Sequence, residues 1–79
     1  MTKAEFYLYD VLNYLMTHYG VDRAYQDIDP LQWYILTGRA SVDFLNKLYQ
    51  KKPYLIARRL HQGGSGDETI KRIKTFIGC

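Results

Sequence analysis

Residues 2–20 read TKAEFYLYDVLNYLMTHYG, and this stretch decides the fold class. Thr2 followed three residues later by Glu5 is a capping box, in which a hydroxyl and a carboxylate satisfy free amide donors at a helix start. Ala4, Leu8, Val11, Leu12, Leu15 and Tyr19 then recur at helical spacing, laying one apolar stripe along a helix from Lys3 to Tyr19. Gly20 supplies the stop. Asp10, Asn13 and Thr17 mark the wet face, while Tyr7 and Tyr14 lie beside the stripe, where they are expected either to flank the core or to extend the helix as a protein-contact surface.

Beyond Gly20 the chain from Val21 to Ile28 is polar apart from Val21, Ala24, Tyr25 and Ile28, and reads as a loop or a single turn begun by Asp22. Asp29-Pro30-Leu31-Gln32 reads as a helix start, with an aspartate N-cap and proline at the first helical position. That helix is expected to run from Pro30 to Thr37 and stop at Gly38. Leu31, Trp33, Tyr34, Ile35 and Leu36 cover nearly all its sides, which predicts a buried central element.

Ser41 opens a third helix with Asp43 in its first turn, where a carboxylate complements the helix dipole. Phe44, Leu45, Leu48 and Tyr49 form its inward stripe. Lys52-Pro53 breaks the chain, and Pro53 begins a fourth helix that reaches Leu60 or Gln62. Leu55, Ile56, Ala57 and Leu60 face inward, leaving Arg58, Arg59, His61 and Gln62 outside. Gly63-Gly64-Ser65-Gly66 ends that helix and reads as a hinge, after which Ser65 and Glu68 repeat the capping box for a fifth helix ending at Ile77. Ile70, Ile73 and Ile77 make its seam. No strand of adequate length appears. The expected fold is all-α: one domain over residues 1–79, a bundle of four to five short helices with a helix-turn-helix-like pair over 42–62.

Charge is divided unevenly along these helices. From Met1 to Asp43, Lys3, Arg23 and Arg39 face Glu5, Asp10, Asp22, Asp27, Asp29 and Asp43, a net −3. From Phe44 onward, eight basic residues face only Asp67 and Glu68, a net +6. They fall in three groups: Lys47, Lys51 and Lys52 at the end of the third helix, Arg58 and Arg59 on the fourth, and Lys71, Arg72 and Lys74 on the fifth. With His61 and Gln62, these are the candidates for contact with nucleic acid or an acidic partner.

Catalysis needs converging groups, and His18, His61 and the single Cys79 are unpaired in sequence. There is no H-x-x-x-H or C-x-x-C spacing, so neither a metal nor a cofactor is expected. The glycine-rich segment lacks the lysine and hydroxyl of a phosphate loop and is followed by Asp67 and Glu68, which would repel phosphate. One cysteine excludes an intrachain disulfide, and no apolar run reaches membrane-span length, so a cytoplasmic protein without a membrane partner is expected. A domain of 79 residues buries only roughly 60 to 65% of the surface its unfolded chain exposes, so a partner or self-association would help it.

These features lead to a small non-enzymatic regulator or inhibitor that acts by binding a protein, of the kind phages and mobile elements encode. The alternative is a small DNA-binding transcriptional or nucleoid-associated regulator using the basic half. In that reading Arg58, Arg59 and Gln62 approach bases while Lys47, Lys51 and Lys52 neutralise phosphates, although Lys51-Lys52-Pro53 is not the glycine-centred turn usual for the motif.

Overall fold

The capping box at Thr2 and Glu5 forms as its spacing requires, and α1 runs over Lys3–Tyr19 in the computed structural model, which describes residues 2–79. Ala4, Leu8, Val11 and Leu15 are buried along it, whereas Tyr19 sits at the rim. Gly20 then ends one helix and starts the next. Its φ of 92° and ψ of 159° lie where only glycine is comfortable; its N–H donates to the Met16 carbonyl and its carbonyl accepts from Ala24 N–H.

The second helix departs from the sequence expectation. α2 is continuous over Val21–Leu36, so Asp29-Pro30 is not a helix start and residues 21–28 are neither loop nor lone turn. Proline inside a helix removes one N–H and crowds the carbonyl four residues back, here that of Gln26. Gln26 is exposed, so water can satisfy that carbonyl. What holds the helix together is a core stripe crossing the proline: Ala24, Ile28 and Leu31 are buried and Ile35 packs beside them. The expected all-round burial is also corrected, since Trp33 is 61% and Leu36 54% exposed. A helix in a bundle of this size has only one covered side.

The remaining helices follow their caps. α3 is Val42–Tyr49 behind Ser41, α4 is Pro53–His61 with proline in its first turn, and α5 is Gly66–Ile77 behind the Ser65/Glu68 capping box. α1 packs on α2, α4 and α3, while α5 closes the bundle against α2, α4 and α3. The backbones of α3 and α4 do not approach closely, whereas each lies against α1 and α5, which hold the two-helix segment over 42–62 in the bundle. Val11, Leu15, Leu31, Phe44, Leu48, Ile56, Leu60 and Ile73 fill the shared core. Phe44 meets Tyr34 edge to face with ring centroids 5.1 Å apart. Truncating such a ring costs about 3–5 kcal/mol, a large share of the roughly 5–15 kcal/mol that holds a domain folded.

Polar side chains tie off the helix ends. Tyr7 O–H donates to the Lys51 carbonyl at 2.7 Å, joining α1 to the α3–α4 turn. Lys47 Nζ donates to the Gly78 carbonyl at 2.8 Å, just past the end of α5. Arg72 Nη1 and Nη2 donate to the carbonyls of Arg59 and Gly63 at 2.9 and 2.8 Å, so one guanidinium caps the end of α4.

Candidate functional site

Several residues expected to contact a ligand are occupied within the fold. Tyr7 is buried, its phenol held well above the ordinary range by burial and secondarily by the Asp10 carboxylate, so of its two expected places it takes the one flanking the core and is not part of a contact surface. Tyr14 is half-buried against the rings of His18 and Tyr54, at 4.2 and 6.1 Å. Lys47 is spent on Asp43 and the end of α5, and Arg72 on the end of α4.

His61 is also engaged. Its Nδ1 lies 2.6 Å from Asp27 Oδ2, and because a carboxylate only accepts, that nitrogen carries the proton. Asp27 is 6% exposed and also meets Arg23 Nε at 3.1 Å, while the His61 ring stacks on Tyr19 at 3.5 Å. The cluster links α1, α2 and α4. Sequence reasoning missed it because Asp27 and His61 stand 34 residues apart with no local pattern joining them.

The remaining cations converge around an aromatic ring that the sequence had not singled out. Lys51 Nζ lies 5.1 Å and Arg59 Cζ 4.4 Å from the Phe76 ring centroid. Phe76, Arg59, Lys71 and Arg72 line one shallow groove between α4 and α5, with Glu68 at its edge. Lys52, Arg58, Gln62 and Lys71 are exposed. Lys74 turns to the other flank of α5, with Nζ 5.3 Å from the Tyr34 centroid. Lys51, Arg59, Lys71 and Arg72, drawn from all three basic groups, therefore meet at Phe76, while Lys47 and Lys74 are engaged elsewhere.

A second surface is apolar. Between α1 and α2, Leu8, Leu12 and Ile28 line a groove walled by Tyr9, Tyr25 and Leu36, which are 52%, 57% and 54% exposed. Glu5 and Gln32 are its polar members. Through Glu5 and Leu36 it continues into a depression lined by Ile35, Val42, Leu45 and Tyr49. The signal for this surface lay in the spacing of Tyr25, Ile28, Gln32 and Leu36, which share a flank only if the helix passes unbroken through Pro30.

Among the described residues no group of three or more His, Cys, Asp or Glu side chains is placed to hold a metal ion, and no helix is long and apolar enough to cross a membrane. Comparison with protein-family models, curated proteins and solved structures returned no match to this chain. The class that the fold defines is a five-helix all-α bundle with an apolar groove on α1–α2 and a basic surface on α4–α5.

Proposed function

We propose that this chain is a non-enzymatic, cytoplasmic regulator or inhibitor that works by binding a protein partner, and that the partner docks in the α1–α2 groove. The observation that carries this reading is the clustering of Tyr9, Tyr25 and Leu36, each more than half exposed, over the apolar floor of one groove. Scattered apolar side chains are ordinary on a protein surface, but a cluster in a cleft between two helices suits an amphipathic partner segment. Tyrosine adds apolar area and a polar tip at little entropic cost.

The rim describes the partner. Glu5 lines the groove, Asp22 and Asp29 stand one turn to either side of Tyr25 on α2, and the one cation is Lys3, in the depression into which the groove continues. A complementary surface is therefore apolar with a basic edge. Symmetric pairing of two copies through this groove would set carboxylates against carboxylates, which favours a different protein as the partner.

Tyr25→Lys combined with Leu36→Lys tests the reading, since both side chains are exposed and the fold tolerates their loss. The wild-type chain purified from its own cells is expected to retain a discrete partner that the double variant loses at an unchanged melting temperature. Recovery of the same partner with both proteins, or of none with the wild type, contradicts it.

A further inference from the structure

We propose that the α4–α5 surface around Phe76 is a second binding site, separate from the α1–α2 groove, for the phosphate backbone of a nucleic acid. The observation is a set of cations around one ring, with Glu68 the one carboxylate among the residues lining the groove and in no ion pair with them. Among the described residues, the ion pairs are Arg23–Asp27, His61–Asp27 and Lys47–Asp43. Lys51, Lys52, Arg58, Arg59 and Lys71 therefore take part in none, although two of them stand over the same ring.

Bringing like charges together is unfavourable, and the negative face of the Phe76 ring compensates only in part. An anion laid across the α3–α4 turn, α4 and α5 completes the compensation. Solvation alone would be served equally well by cations dispersed over the bundle, yet Lys51, Arg59 and Lys71 come from three segments and meet at Phe76 because α5 packs back on α4 and α3.

The arrangement fits a charged polymer better than a single acidic side chain. The surface is a shallow groove beside a convex helix, with no enclosed pocket of carboxylate size at which one group would be held. Double-stranded DNA carries one negative charge per roughly 1.7 Å, so several cations on different segments find phosphates at once. Arg58 on α4 and Gln62 at its C-cap, four residues apart and both exposed, are side chains able to reach a groove edge once phosphate contacts set the register. Glu68 sets the boundary at the N-terminal end of α5, its Oε2 already accepting from Ser65 N–H.

The test is fluorescence anisotropy with a labelled DNA duplex of about 20 base pairs, comparing the wild type with a Lys52→Ala/Arg58→Ala/Lys71→Ala variant. These three side chains are exposed, so the variant keeps the fold, as its helical circular dichroism verifies. Five phosphate contacts give a log–log salt slope of about −4.5, or roughly 500-fold weaker binding between about 50 and 200 mM salt. With about two contacts left, the variant loses only roughly tenfold over that range and binds more weakly at low salt. No duplex binding at low salt, or an identical slope in the variant, overturns the proposal. Displacement of the duplex by polyglutamate at equal charge also overturns it, in favour of an acidic protein ligand.

Discussion

Replacing Asp27 by asparagine changes one oxygen to an amide nitrogen and leaves the side-chain shape intact, yet it strikes the only buried carboxylate among the described residues. Asp27 accepts from His61 Nδ1 at 2.6 Å and from Arg23 Nε at 3.1 Å. The Arg23 side chain is 46% exposed, so screening reduces its i,i+4 pair to about 0.3–0.5 kcal/mol. The His61 contact is shorter and less exposed, and a hydrogen bond to a charged group contributes about 1.5–3 kcal/mol. Asparagine can accept from one partner but presents N–H to the other. The expected loss is about 2 kcal/mol, which lowers the melting temperature of a domain this size by roughly 8–16 °C. Urea denaturation of wild type, Asp27→Asn, His61→Gln and the double variant forms a thermodynamic cycle, with an expected coupling of at least about 1 kcal/mol. Additive losses, or a single-variant loss below about 0.5 kcal/mol, would show that the cluster does not join α2 to α4.

Three further outcomes follow from backbone and burial. Gly20→Ala forces a Cβ into a conformation reserved for glycine and is expected to cost about 1–3 kcal/mol in urea melts, although nothing crowds the new methyl. Pro30→Ala restores an N–H inside α2 and is expected to raise the urea midpoint by on the order of 1 kcal/mol in stability; a loss would mean that the proline bend is itself needed for packing. Tyr7 stabilises the fold fully below its unfolded pKa of about 10, and that contribution falls as pH rises beyond it because burial raises the folded value. Tyr7→Phe should therefore cost about 1 kcal/mol near neutral pH but flatten the alkaline decline, leaving the smaller slopes from Tyr49, whose phenol burial also raises, and from Lys74, raised by its hydrogen bond to Tyr34. Parallel stability profiles for the two proteins would contradict this assignment.

Four of the five helices were legible because local chemistry marks their ends. Thr2 with Glu5, Ser41, Pro53, and Ser65 with Glu68 each act within one turn of the chain, and each begins a helix in the structure. α2 was misread for the same reason. Asp29-Pro30 is a strong local start signal, and it was outweighed by tertiary burial of Ala24, Ile28 and Leu31, whose spacing spans the proline. The basic candidates were legible as charges but not as roles. Whether Arg72 faces solvent or caps α4 depends on carbonyls of Arg59 and Gly63 that only the packed helices bring within reach. The Phe76 cluster and the His61–Asp27 contact likewise arise from α5 and α4 meeting other elements, which no local pattern encodes.

The docking surface is tested most directly by placing a photo-crosslinking phenylalanine analogue at Tyr25 or, on α4, at Tyr54, two exposed tyrosines on different helices. Irradiation in the protein's own cells is expected to give one discrete adduct from position 25, heavier than two copies of this 9.3 kDa chain, and none from position 54. No adduct at position 25, or the same adduct from both positions, would contradict the α1–α2 groove as the place where a partner binds.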